Sequence, residues 1–437
     1  MGKLLEVREF ELITCNKDYK DEEPFKYLDK ETFIELENFI LSTNDTEEAD
    51  AMNFLKIGTK RNVGKIIQAK NYVGLVQMKN GYQIQILPKI SYGEIEDTKL
   101  TFLRMLRSMK DFPSKVFNDA NLKMDRMNLY EIFIHMYIQE LHGLVKKGIR
   151  SSYISVEDNL NYYKGKLIVQ EHIKKNQVHK ERFYVSYEEF GVNRPENRLI
   201  KSTLLKLQKV SSSASNIKEI RRLLSYFEIV EPSTNYAKDF SHVVINRSTK
   251  EYEMLMRWSK VFLTNQSFTT FSGNMNARAL LFPMEKVFEA YVAKSLKRVL
   301  ADLAWEVSTQ DKEYYLFDTP KKFALRPDIV ITREGGSRIV LDTKWKSLIN
   351  NSRQNYGISQ ADMYQMYAYS KKYKTSEVWL LYPLHNEEMK DVDISFEAYN
   401  QTQIETNVKV FFVEIEKIDE SLDVLKEQLI NKVMEKD

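Results

Sequence analysis

Two carboxylates lie inside segments that otherwise read as core strands. Arg326-Pro327-Asp328-Ile329-Val330-Ile331 and Ile339-Val340-Leu341-Asp342-Thr343-Lys344 are short apolar runs separated by Glu334-Gly335-Gly336-Ser337. Runs of this length, split by a glycine pair, predict a β-hairpin. A carboxylate in such a strand is expensive unless a cation or partner charge compensates it, so any fold built on these runs must supply one. Strand alternation puts Val340, Asp342 and Lys344 on one face and Ile339, Leu341, Thr343 and Trp345 on the other. The second face reads as core; the first presents an acid and an ammonium together. Asp328 shares a face with Arg326 and Val330. A three-residue loop, Glu334-Gly335-Gly336, brings Asp328 opposite Asp342, and glycine suits the positive φ that such a loop needs. Directly opposed Cβ atoms lie about 5 Å apart, close enough for both acids to hold one divalent cation that neutralises their repulsion.

A hard cation held in this way lowers the pKa of its water and stabilises charge on a phosphodiester in the transition state. Lys344 would orient the water or neutralise the developing charge. An ordinary surface ion pair is the alternative for Asp-x-Lys alone. Pro-Asp one strand earlier, with apolar residues all round, favours a Mg²⁺-dependent nuclease.

Upstream, Phe282 through Val292 begins a helix that runs to about Leu300, with Pro283 near its first turn. Val287 and Tyr291, with a second row at Phe288, Val292 and Leu296, form its apolar stripe. Glu289 lies at the edge of that stripe and is the expected helix acid, joining Asp328 and Asp342 as metal ligands; Glu285, one turn earlier, is the alternative. Downstream, Ser359 through Tyr369 reads as a capped helix. It places Gln365 and Tyr369 on one face, where they could address a phosphate or the metal's water, or simply form a tyrosine-rich core. Apolar strands at Glu377–Tyr382 and Val408–Val413 and a polar helix from about Asp419 complete an α/β unit with a mixed sheet.

Helix acid, Pro-Asp and Asp-x-Lys together resemble the PD-(D/E)xK nuclease pattern, and Gln365-x-x-x-Tyr369 resembles the extra motif of its RecB-like branch. A longer stretch resembles the McrC family, nuclease subunits of McrBC-type 5-methylcytosine-specific restriction systems. Val73-Gly74-Leu75-Val76 with Ile84-Gln85-Ile86-Leu87-Pro88-Lys89-Ile90 is similar to its N-terminal signature. Leu160 through Gly165-Lys166-Leu167 and Glu196-Asn197-Arg198-Leu199-Ile200-Lys201 are similar to its middle region. Phe282 through Val292 and the nuclease motifs complete a series over roughly residues 60 to 415.

The resemblance implies a Mg²⁺-dependent endonuclease subunit with Asp328, Asp342, Lys344, Glu289 and Gln365 in its site. It further implies an McrB-like AAA+ GTPase hexamer as partner, recognising double-stranded DNA with modified cytosine and translocating while this subunit cuts. Stimulation of the partner's GTP hydrolysis is also implied. A basic residue acting in trans is one physical route, with Arg61, Arg150 and Lys166 as candidates. No Walker loop is present, since Gly58-Thr59-Lys60 lacks the spacing, so GTP belongs to the partner. A regulatory subunit that mainly docks the motor, or a stand-alone RecB-like repair nuclease, are the competing roles.

At 437 residues the chain is long for one core. The expected division is a β-rich partner- or DNA-interaction domain over 1–125, a mostly helical region over 126–270 and the nuclease domain over 271–437. With 65 basic and 62 acidic residues, the net charge of +3 does not suggest autonomous tight DNA binding. Cys15 alone excludes a disulfide framework and a four-cysteine iron–sulfur cluster. No run is long and apolar enough for a bilayer and no signal-peptide core is present, which points to the cytoplasm.

In the first part, Leu4 to Thr14 reads as strand, Lys30 to Ser42 as helix and Asn44 to Asp50 as an acidic loop. Strand signals follow at Val63 to Ile67, Val73 to Met78 and Tyr82 to Ile86, with Asn80-Gly81 as a hairpin turn. Residues 96–110, 128–148, Arg194 to Phe227 (broken at Ser211-Ser212-Ser213) and Lys250 to Leu263 read as helical. Lys146, Lys147, Arg150 and the stretch Lys164 to Arg182, interleaved with Tyr162, Tyr163, Phe183 and Tyr184, is a candidate contact for DNA or the GTPase ring, or else a solvated face.

Overall fold

The computed structural model describes residues 4–434 except 44–53, 79, 91–94, 110–111, 113–126, 265–276 and 401–402. The acidic loop expected at Asn44 to Asp50 lies outside the described residues. The chain is a mixed α/β protein with several sheets.

The expected first strand is two strands, Leu4–Arg8 and Leu12–Thr14. Phe10 takes a φ of 70° between them, so the chain turns and the pieces enter different sheets. One sheet orders Leu4–Arg8, Gln83–Leu87, Tyr72–Met78 and Ala277–Pro283. The other orders Phe25–Tyr27, Leu12–Thr14, Gly64–Ala69 and Leu55–Lys60. Helix Lys30–Thr43 contributes Phe33, Leu36, Phe39 and Ile40 to a small core shared with both sheets. The Asn80-Gly81 turn falls where expected, with Gly81 at φ 81° and the Tyr82 N–H donating to Asn80 Oδ1 at 2.8 Å.

The fourth strand of the first sheet comes from far along the chain. Ala277–Pro283 pairs antiparallel with Tyr72–Met78, and Gly74 sits at φ 143° on that seam. A Cβ there would lie 1.9 Å from the Leu280 carbonyl oxygen, so only glycine admits the approach. Helix Met284–Val299 follows the strand with no linker, and the Met284 N–H donates to the Asn71 carbonyl at 3.0 Å.

The middle of the chain has the expected helices. Ile95–Leu106 and Leu129–Lys146 come first. Pro195–Val210, with proline in its first turn, is followed by Ala214–Ser225, capped by Ser213, and Tyr252–Thr264 comes last. The serine loop between two of them is held by buried Glu131, which accepts from Ser211 Oγ, the Ser212 N–H and Asn216 Nδ2. The region is not helix alone. Ser152–Leu160, Lys166–Leu167 and Phe183–Gly191 form a three-stranded antiparallel sheet beside the short helix Val169–Lys175. Its strands carry exposed Tyr153 and Phe190, whose rings pack tilted at 5.2 Å; with Val185 fully buried but these aromatics facing water, they lack the clean alternation by which a strand is recognised.

The C-terminal sheet has six strands in the order Glu306–Thr309, Ile329–Thr332, Arg338–Thr343, Glu377–Pro383, Gln403–Val413 and Ser395–Asn400. It is mixed, as expected: antiparallel at both edges and parallel across its centre. Helices Met284–Val299 and Ile418–Met434 cover one face, and helix Gln360–Tyr373 covers the other. The face carrying Val340 and Asp342 is therefore not open. Val340 is buried against Met366, Tyr369 and Tyr373.

Trp345, just past the third strand, ties this sheet to the first part of the chain. Its indole Nε1 donates to buried Glu9 at 3.0 Å, its ring packs on Phe288 at 5.5 Å, and its carbonyl accepts from Lys89 Nζ at 3.0 Å. Burial pushes the Glu9 carboxyl up to about 7, against the donors Lys89 N–H and Trp345 that favour its charged form.

Two predictions follow from these contacts. Gly74→Ala should lose roughly 3 kcal/mol or more of stability, through the backbone clash and the positive φ together; a urea midpoint within error of wild type would contradict the seam. Glu9 is raised from 4.5 to about 7 on folding. Its stabilising contribution is therefore complete below 4.5 and is lost as pH rises through about 7. In Glu9→Gln one oxygen can still accept from both donors, and the fall in urea stability from about pH 5 to about pH 8 should be shallower than in wild type.

Candidate active site

The hairpin register is the expected one. Ile329 pairs with Leu341 and Thr332 with Arg338, which carries Asp328 to the level of Asp342. The Arg333 N–H donates to the Ser337 carbonyl at 2.9 Å, closing the three-residue loop, and Gly335 and Gly336 have φ of 86° and 85°.

Asp342 is 2% exposed, and its Oδ2 lies 2.6 Å from Lys344 Nζ. No other N–H or O–H among the described residues donates to that oxygen with hydrogen-bond geometry. Burial pushes the carboxyl up to about 7, with the Asp328 charge adding to it and Lys344 opposing. Burial also raises Asp328, although Thr343 works the other way: its N–H at 2.8 Å and its hydroxyl at 2.7 Å both donate to Asp328 Oδ2. Thr343 was assigned to the core face by alternation. It is buried as that face requires, and at the strand end it also clamps the neighbouring acid.

Lys344 is fixed from two sides. Its backbone N–H donates to the Leu381 carbonyl at 2.9 Å, and its ammonium donates to Gln365 Oε1 at 3.0 Å. Asp362 Oδ1 lies 3.8 Å away, and the other oxygen, Oδ2, accepts from Lys346 Nζ at 2.7 Å. Burial disfavours the Lys344 charge, but Asp342, Asp362 and Asp328 outweigh it and hold the ammonium above the usual lysine value. Gln365 in turn donates through Nε2 to the Tyr369 hydroxyl at 2.7 Å, and Tyr369 is buried. Gln365 thus holds the lysine, and Tyr369 belongs to the core of the helix that carries both.

The helix acid stands on the other side of Asp328. Val287, Phe288, Tyr291, Val292 and Leu296 are buried as the stripe requires, and Glu289 lies at its edge. Gln310, at the end of the sheet's edge strand, joins the two acids: its Nε2 donates to Glu289 Oε1 at 2.5 Å and reaches Asp328 Oδ1 at 3.4 Å. Burial, then the Asp328 charge, pushes Glu289 up to about 7. Glu285 turns toward the N-terminal part and accepts from Asn71 Nδ2 at 3.1 Å.

All five expected residues therefore gather at one end of the C-terminal sheet, with Asp328 between Asp342 and Lys344 on one side and Glu289 on the other. Among the described residues no three His, Cys, Asp or Glu side chains close into a metal-holding group. The hard oxygens of Asp328, Asp342 and Glu289 nonetheless suit a Mg²⁺-like cation, and an Asp342 oxygen with only an ammonium beside it offers a free lone pair. Gln310, Thr343 and Asp362 were missed. Gln310 and Asp362 belong to no spacing pattern, while Thr343 stood in view between Asp342 and Lys344.

Among the described residues no helix is long and apolar enough to cross a membrane. No curated protein matches the sequence. The fold is similar to a chain in the refined half-complex from a tetradecameric assembly of Thermococcus gammatolerans McrB AAA+ hexamers with bound McrC. The two are 21% identical, with a TM-score of 0.66 over 98% of this chain and 100% of that one. A chain in the cryo-EM structure of the Thermococcus gammatolerans McrBC complex is 22% identical, with a TM-score of 0.45 over 69% of this chain and 89% of that one. The model of the family described as McrBC 5-methylcytosine restriction system component matches residues 67–383, well over half the sequence, and the chain belongs to that family.

Proposed function

We propose that this chain is the Mg²⁺-dependent nuclease subunit, of PD-(D/E)xK type, of a modification-dependent restriction complex. The observation that carries the reading is a core strand bearing buried Asp342, with Lys344 at 2.6 Å from it and Asp328 level with it on the adjoining strand. Plain structure gives no reason to bury an acid whose neighbouring acid raises its pKa further. Asp328, Asp342 and Glu289 would hold the cation. When bound, the cation neutralises the acids, activates water and stabilises charge on the scissile phosphate.

The chain's own residues supply positioning and charge. Thr343 fixes the Asp328 carboxylate through Oδ2, leaving its Oδ1 on the side of Gln310 and Glu289. Gln365 and Asp362 keep the Lys344 ammonium at the acids, where it can neutralise charge on a phosphodiester oxygen. Membership of the family supports DNA with modified cytosine as substrate. The likeness to the assembly of McrB AAA+ hexamers with bound McrC supports a GTPase ring of that kind as partner, docked on the N-terminal and middle parts. Arg61, Arg150 and Lys166 are all exposed and remain the candidates for stimulating its GTP hydrolysis.

The test uses the purified chain with and without an McrB-type GTPase, Mg²⁺ and GTP, on methylated and unmodified plasmid. Asp342→Ala and Lys344→Ala should each lose at least about 100-fold in cleavage rate, with folding checked by urea denaturation. Undiminished cutting by Asp342→Ala would refute the site. Efficient degradation of unmodified DNA by the chain alone would favour a stand-alone nuclease instead.

A further inference from the structure

Gln310 holds a position that no spacing pattern points to. Its side-chain amide lies between the carboxylates of Glu289 and Asp328, at 2.5 Å and 3.4 Å. Ionised carboxylate oxygens only accept, so with both acids charged the NH₂ end of the amide faces them. The backbone is set for this placement: Gln310 takes a φ of 52°, uncommon for a residue other than glycine, and its N–H donates to the Asp328 carbonyl at 3.0 Å. Next to it, Asp311 accepts from the Tyr373 hydroxyl at 2.7 Å, pinning the turn to the helix that carries Gln365. The side chain is exposed, so neither packing nor burial explains why it spans two acids. Its one evident function there is to bridge them.

We propose that Gln310 is a positioning residue for a divalent cation, holding Glu289 and Asp328 together in the metal-free chain and turning its amide to present Oε1 when the cation binds. The inference rests on the metal-site reading above. An amide N–H cannot face a cation, but the oxygen and nitrogen ends are nearly the same size. Half a turn about the terminal side-chain bond therefore exchanges a donor for a lone pair without moving the backbone. A neutral oxygen ligand would then join the carboxylates, a set that suits a hard cation. The bridge also explains how two acids on different elements, one on a helix and one on a strand, stay poised without their counter-ion.

The proposal is tested on the full chain by calorimetric titration with Mn²⁺, without DNA or partner, and by the shift in Tm that saturating Mn²⁺ produces. Wild type, Gln310→Ala, Gln310→Glu and Asp342→Asn are compared. Gln310 is exposed, so Gln310→Ala should keep the metal-free Tm near that of wild type while binding Mn²⁺ at least about tenfold more weakly. Gln310→Glu supplies an oxygen in the same place. It should bind at least as tightly as wild type and show a larger Mn²⁺-induced rise in Tm, because its metal-free state carries a further repelling charge. If Gln310→Ala binds as well as wild type or better, the amide is a spectator or a plug and the inference falls while the metal site stands. Binding by Gln310→Glu as weak as that of Gln310→Ala overturns it too. If wild type does not bind Mn²⁺, or Asp342→Asn binds it equally well, the metal-site reading itself fails and takes the inference with it.

Discussion

A carboxylate sealed into a sheet covered on both faces is the constraint around which this molecule is arranged. Asp342 cannot escape to water, so its surroundings must supply compensation: Lys344 just past the end of its strand, Gln365 to aim that lysine, and Thr343 to aim the other acid. Each helper is in turn held by something rigid, whether the parallel strand at Leu381 or a helix whose other side is core. The geometry is over-determined, as it must be where charge is kept in low dielectric without a full set of partners.

The hairpin was legible because several independent signals agreed there. Apolar runs of strand length, a glycine pair and the alternation rule together specify one register, and the observed pairing of Ile329 with Leu341 is that register. Helix Met284–Val299 was legible through its proline and apolar stripe, and Glu289 through being out of place on it. Gln310 was not, because what makes it matter is a contact with residues brought close only by folding. Asp328 was only half legible: the strand rule gave its level in the sheet, but not that Thr343 would draw one of its oxygens aside.

The same logic accounts for the differences elsewhere. Leu4 to Thr14 has strand composition throughout, and nothing in that composition marks Phe10 as a residue with positive φ. The small sheet between Ser152 and Gly191 fully buries Val185 but leaves Tyr153 and Phe190 exposed, and sequence patterns report burial before they report hydrogen bonding. Alternation makes one face of the hairpin core and gives the other an acid and an ammonium. Both are covered, because the capping helix that brings Gln365 to Lys344 also has tyrosines to bury.

The junction at Pro283 has a consequence for how the protein can be taken apart. The strand before it completes the N-terminal sheet, and the helix after it carries Glu289. A cut between strand and helix keeps the sheet whole but breaks the Trp345–Glu9 hydrogen bond and splits the core in which Leu280 and Phe282 join Met284 and Phe288. A fragment starting one strand earlier would take Ala277–Pro283 with it and leave Tyr72–Met78 with a bare edge, a template for foreign strands. Neither cut is clean, so the N-terminal sheet and the helix that bears Glu289 fold and unfold as one unit.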